Sequence, residues 1–164
     1  MTYSVVYSSQ TGNTAQLAHT IEACLPVSAC LYAGAPAPQA AQADCIFVGF
    51  WTDKGSCGAA IAEFLHGLHG KTVFLFGTAG FGGSPDYFEQ ILNRVKAELP
   101  AGNTLAGTYM CQGKMGPGVR KRYESLLPTD PAKFQPLLDN FDRALTHPDQ
   151  ADLDALAQTV RPLL

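Results

Sequence analysis

Thr2-Tyr3-Ser4-Val5-Val6-Tyr7 runs directly into Ser8-Ser9-Gln10-Thr11-Gly12-Asn13-Thr14. A short run rich in β-branched and aromatic residues breaks into a hydroxyl-rich loop. The loop opens onto Ala15-Gln16-Leu17-Ala18-His19-Thr20-Ile21, where Leu17, Ala18 and Ile21 recur at helical spacing. The segment therefore predicts strand, loop and helix. A helix N-terminus leaves backbone N–H groups unpaired and carries partial positive charge, so Ser and Thr hydroxyls around it complete a phosphate cradle. The same residue types also serve plain turns and helix caps. A nucleotide P-loop places Lys after its last glycine to reach the outer phosphates; here that position is Asn13. Without that cation the cradle suits a single terminal phosphate better than a triphosphate with its magnesium.

Outward from this unit the chain repeats the same alternation. Val27 to Tyr32 is a weak strand candidate, and Ala33 to Ala43 is too short and too proline-interrupted for a full helix. Cys45-Ile46-Phe47-Val48-Gly49-Phe50 and Thr72-Val73-Phe74-Leu75-Phe76 are continuous apolar runs, the pattern of strands buried on both faces. Between them Ala59 to Leu68 carries Ala60, Ile61, Phe64, Leu65 and Leu68 on one helical stripe. Ser84-Pro85 starts a helix reaching about Leu99, and Thr104 to Met110 supplies the fifth strand. Helices are expected over Met115 to Leu127, Lys133 to Leu145 and Gln150 to Leu163, the last with Asp149 as N-cap. Buried-type strands alternating with amphipathic helices predict an α/β fold, a five-stranded parallel sheet with helices on both faces. The loops that follow strands then share one sheet edge, where ligands of such sheets bind.

Composition bounds the function. A chain of 164 residues, 46% apolar and 15% charged, has the length and balance of one compact domain, residues 1–164, with an extended helical C-terminal segment from about residue 112. No run approaches the ~20 apolar residues of a membrane span, and no basic-then-apolar leader opens the chain; the expectation is a cytoplasmic protein. A net charge of −3 argues against nucleic acid as the main partner. Five scattered cysteines with no Cys-x-x-Cys pair fit reduced thiols better than disulfides or zinc. His66 and His69 lie three apart but have no accompanying ligand set, so no metal is expected. Cys57 and Cys111 lie near loop ends, where either buried packing or redox activity is open to them. No hydrolase elbow or paired carboxylate motif is present.

Ser9-Gln10-Thr11-Gly12-Asn13-Thr14, standing straight after the first strand, resembles the FMN phosphate loop of the flavodoxin family, Ser/Thr-x-Thr-Gly-Asn-Thr. The resemblance covers about the first two-thirds of the chain and implies a flavodoxin-like three-layer fold and non-covalent FMN. It also implies two flavin loops. One is Phe50-Trp51-Thr52-Asp53-Lys54-Gly55-Ser56, with Phe50, Trp51, Thr52, Asp53 and Gly55 as cofactor-binding residues. The other runs from Thr78 through Ala79, Gly80, Phe81, Gly82 and Gly83 to Ser84, with Tyr87 just inside its helix. Two departures mark this chain. Trp51 comes almost directly off its strand, either to stack on the ring or to brace the loop, and Asp53-Lys54-Gly55 replaces the acidic run found in many flavodoxins. Gly113-Lys114-Met115 and His147-Pro148-Asp149 resemble the flavodoxin-like proteins encoded beside gut bacterial bilirubin reductases.

The function so implied is an FMN-binding electron carrier that works between two redox partners, a reductase and an acceptor enzyme, and is not a stand-alone enzyme. Its rivals are an FMN-dependent NAD(P)H:acceptor oxidoreductase and an accessory subunit of a bilirubin-type reductase. Lys114, Arg120, Lys121 and Arg122 form a basic cluster, read as a solvated helix face or as a docking patch for an acidic redox partner. Nothing in the sequence sets the oligomeric state.

Overall fold

The computed structural model describes residues 1–82 and 84–164; Gly83, placed by sequence in the third loop, lies outside the described residues. Five parallel strands form the sheet: β1 (Tyr3–Tyr7), β2 (Cys30–Gly34), β3 (Cys45–Trp51), β4 (Thr72–Ala79) and β5 (Thr104–Gln112). Their spatial order is β2-β1-β3-β4-β5, so the order reverses beside β1 and leaves a switch point between β1 and β3. Helix α1 (Asn13–Cys24) returns from β1 to β2. Helices α2 (Ala59–His66) and α3 (Pro85–Lys96) join β3 to β4 and β4 to β5. After β5 come α4 (Pro117–Leu126), α5 (Pro131–Ala144) and α6 (Gln150–Val160).

Two apolar layers enclose the sheet. On one face Val48, Phe50 and Leu75 pack under Ile61 and Leu65 of α2 and Ile91 and Val95 of α3. On the other, Val5, Phe47 and Phe74 pack under Leu17 and Ile21 of α1 and Leu156 and Val160 of α6. This is the three-layer α/β fold expected from the alternation. The β2–β3 connection holds only a 3-10 turn, Pro38–Gln42, because proline removes donors from a segment already too short for a helix.

Several element limits move. The second strand starts at Cys30 rather than Val27, since Val27 sits 98% exposed in the turn closed by Ala29 N–H to Pro26 O. The fourth strand runs on through Gly77, Thr78 and Ala79. Gly77 stays in the sheet because it faces Phe50 across the ladder, and the Phe50 ring fills the space above it; a Cβ on Gly77 would lie 2.5 Å from that ring. Gly49 and Phe76 repeat the arrangement one register earlier. The helix expected from Met115 begins at Pro117, with Gly116 as N-cap and Pro117 in its first turn, where a missing N–H costs nothing.

Candidate cofactor-binding site

All strands being parallel, the segments after β1, β3, β4 and β5 emerge on one edge, around a cleft of about 400 Å3 beside the switch point. The segment after β1 forms its floor. Gly12 caps α1 in the left-handed region (φ 88°), which a side-chain-bearing residue adopts only under strain, and it offers the helix no side-chain acceptor. Ser9 Oγ accepts the Ala15 N–H at 3.2 Å. The N–H groups of Thr11, Gly12, Asn13 and Thr14 meet no acceptor among the described residues. A row of unpaired donors at a helix N-terminus is able to hold an anion.

The side chains of this loop face several ways. Gln10 and Thr11 are exposed at the cleft. The Thr14 hydroxyl is buried against that of Thr78, 3.2 Å away, and ties α1 to β4. Asn13, 6% exposed, donates through Nδ2 to the Lys114 carbonyl at 2.8 Å, and Thr11 Oγ1 donates to the same oxygen at 3.4 Å. Its Oδ1 is buried with no donor. Reversing the amide would set two oxygens against each other, so the bond to Lys114 fixes its orientation.

The two loops expected at the ring frame the opposite side. Trp51, Thr52, Gly55, Thr78, Ala79, Gly80, Phe81 and Tyr87 line the cleft. Thr52 doubles its hold on β4, donating both N–H and hydroxyl to the Thr78 carbonyl, at 2.9 and 2.8 Å. Asp53 and Ser56 then exchange backbone hydrogen bonds around Lys54 (φ 50°) and Gly55 (φ 80°), two left-handed residues in succession, which is a type I′ turn. Arg94 of α3 donates to the Gly55 carbonyl at 3.0 Å and holds the turn down. Asp53 is engaged in closing that turn, and Gly82 packs against Gln112 and Phe88; neither lines the cleft. Phe50 is corrected on its side chain: fully buried, its ring covers Gly77 in the core and has no access to the cleft.

A fourth wall, Gly113-Lys114-Met115-Gly116, takes in two residues ahead of the helix expected from Met115, a stretch given no place at the cofactor by the sequence. Gly113 donates its N–H to the Ala79 carbonyl at 2.9 Å, and Lys114 donates its own to the His147 carbonyl at 2.9 Å. The Met115 side chain lies across Gly80, where a Cβ would come within 2.7 Å of its sulfur. The Gly80 carbonyl is held by two amides, Gln112 Nε2 and buried Asn140 Nδ2, each at 3.0 Å. The sequence signal for this wall was present: it follows a parallel strand, contains two glycines and ends at Pro117.

Other candidates separate from the cleft. Burial raises the thiol pKa of Cys111 and of Cys57, so neither is held as a thiolate, and all five cysteines are free. His66 pairs with Glu98 at 2.5 Å instead of joining His69. His147 Nδ1 lies 2.6 Å from an Asp152 carboxylate oxygen that also accepts the Asp149 N–H in the capping box of α6. Within the basic cluster, Arg120 is committed to Glu124 and Asp142 and stacks on Phe141, while Lys121 and Arg122 are solvated. A separate groove of about 520 Å3 between the 3-10 turn and α2 is apolar, with Glu63 its one ionisable residue. It offers no anion donors comparable to the cradle.

The model of a flavodoxin domain matches residues 4–161. The chain belongs to the flavodoxin family. It is 39% identical, over 94% of its length and 92% of the relative's, to the flavodoxin-like domain-containing protein BilS of Clostridium symbiosum (strain WAL-14163). The identity to BilS of Clostridioides difficile (strain CD3) is 30%, over 91% of this chain and 88% of the relative. Among solved structures, a short-chain flavodoxin associated with a bacterial microcompartment superposes with TM-score 0.63 at 17% identity, covering 99% of this chain and 97% of its own. A flavoprotein from Lactobacillus acidophilus NCFM, solved in complex with FMN, superposes with TM-score 0.51 at 12% identity over 66% of this chain and 92% of its own. These two structural likenesses speak to the fold. No helix among the described residues is long and apolar enough to cross a membrane.

Proposed function

We propose that this protein is an FMN-binding electron carrier that takes electrons from a reductase and passes them to an acceptor enzyme. The observation that carries the reading is the run of unpaired N–H groups over Thr11 to Thr14, opening into the same cleft as Trp51, Phe81 and Tyr87. FMN matches each demand of that cleft. Its terminal phosphate would be held by the bare N–H donors of Thr11 to Thr14, and its ring would be bordered by Trp51 on one side and the Gly80-Phe81 segment on the other. When bound, the flavin supplies the redox chemistry; the chain's part is to anchor, orient and tune it. Ser9 serves by accepting the Ala15 N–H, which organises the cradle from behind.

Lys54 is the charge best placed for tuning, exposed at the cleft on the rigid type I′ turn. Reduced flavin is anionic, and a cation near it favours reduction. Two unit charges ~6 Å apart interact by about 2.8 kcal/mol at an effective dielectric of 20, and by less once solvent screens an exposed lysine. Lys54→Glu is therefore expected to make the potential of the final one-electron reduction more negative. Spectroelectrochemistry reads it, and an unchanged or more positive potential would place Lys54 away from the ring.

The rival, direct oxidation of NAD(P)H, needs nicotinamide within about 3.5 Å of the flavin and a seat for the dinucleotide phosphates. Of the basic cluster only Lys114 lines the cleft, while Arg120 is neutralised by two carboxylates and Lys121 and Arg122 are solvated, so the cluster brings one lysine to the flavin for the several phosphate charges of a dinucleotide. Flavin-loaded protein is thus expected to be reduced very slowly by NADH or NADPH alone, and quickly when a suitable reductase is added. Stopped-flow absorbance at 450 nm distinguishes the two; fast, saturable reduction with no partner would replace the carrier by the rival.

A further inference from the structure

The phosphate cradle has no cation of its own: Ser8 to Thr14 contains neither Lys nor Arg. The fold brings one from 101 positions downstream. The Lys114 carbonyl accepts from Asn13 Nδ2 and from Thr11 Oγ1, and its N–H is spent on the His147 carbonyl. Gly113 is fixed to the end of β4 and buried against Asn13, so close that a Cβ would lie 2.4 Å from Nδ2. The Lys114 backbone is thereby held at the rim of the cradle by three elements, and its side chain is left exposed. Among the described residues no carboxylate pairs with Lys114, and Asp142, the acid lining a groove that Lys114 shares with Pro117 and Phe141, is engaged by Arg120.

An exposed ammonium with no acid partner, carried on a backbone fixed beside the cradle, is free to serve as a counter-ion. Only the lysine's own rotamers remain to be ordered on binding, since the backbone around it is already fixed. A four-carbon stem with three rotatable donors suits a terminal phosphate whose other oxygens are taken by backbone N–H groups. Resting on the FMN reading above, we propose that Lys114 is the cation that closes the cradle over the flavin phosphate. It makes this site selective for a phosphorylated flavin through charge as well as through hydrogen bonds.

Because the bonds to Asn13, Thr11 and His147 are made by the backbone atoms of Lys114, a side-chain change leaves them in place. The test is fluorescence-quenching titration of FMN and of riboflavin into wild type, Lys114→Ala and Lys114→Arg, at low and at high salt. Lys114→Ala is expected to weaken FMN roughly ten-fold and flatten its salt dependence, with riboflavin unaffected; Lys114→Arg is expected to retain FMN affinity. Equal losses for both flavins in Lys114→Ala would reveal a merely structural role and overturn the proposal, as would no loss for FMN. Wild type that takes up neither flavin would overturn the FMN reading together with the lysine's part in it. Wild type that takes up FMN normally, beside an unaltered Lys114→Ala, would overturn the lysine alone.

Discussion

Gly113→Ala is expected to lower FMN affinity by about 30- to 150-fold while leaving the sheet intact. A methyl group there would lie 2.4 Å from Asn13 Nδ2 and 2.8 Å from Cγ. Asn13 is 6% exposed and lies in the first turn of α1, so it has little room to yield. Pushing it aside breaks its hydrogen bond to the Lys114 carbonyl and shifts the first turn of α1, whose Asn13 N–H is one of the donors for the phosphate; losing that bond to a charged group lowers binding by about 2–3 kcal/mol. That displacement acts on the wall between the cradle and the ring site, so it is felt by the ligand rather than by the distant core. Gly118→Ala is the matched control. Gly118 is exposed on α4, is not among the residues lining the cleft and has open space where a Cβ would go, so its affinity is expected to match wild type. Both are read by flavin fluorescence quenching, with far-ultraviolet circular dichroism confirming the fold. Equal affinities for Gly113→Ala and wild type would mean that the Asn13–Lys114 link plays no part in holding flavin.

The layered sheet was legible because its determinants are local. Apolar runs such as Cys45 to Phe50, punctuated by glycine-rich loops and a helical stripe, fix element type within a window of a few residues. Limits were less legible where a distant residue decides. Gly77 reads as a loop residue until Phe50, on the neighbouring strand, is seen to cover it. The same contact explains why Phe50, expected as the first residue of a flavin loop, has its side chain in the core. What the sequence concealed in the site is long-range hydrogen bonding. Arg94 on Gly55, Asn140 on Gly80 and Asn13 on Lys114 join residues 39, 60 and 101 positions apart, and no local pattern announces such pairs. The Asn13 side chain joins the cradle to the Gly113–Gly116 wall. The anion donors left there are backbone N–H groups, whose availability follows from Gly12 at the N-cap rather than from any side chain.

A preference of at least two orders of magnitude for FMN over riboflavin follows from that same row of donors. Riboflavin has the ring and the ribityl chain but no phosphate. Hydrogen bonds to a charged group contribute about 1.5–3 kcal/mol each, so losing two or three of them lowers affinity roughly 100-fold or more. Amide-resolved NMR during the titration tests this and locates the ligand at once. With FMN, the N–H resonances of Thr11, Gly12, Asn13 and Thr14 and the Trp51 indole signal are expected to shift and saturate at one equivalent, as a band near 450 nm grows in. With riboflavin at the same concentrations the cradle resonances are expected to stay in place. Equal affinity for the two flavins, or shifts confined to the apolar groove between Pro36 and Leu68 with the cradle amides unmoved, would contradict the account.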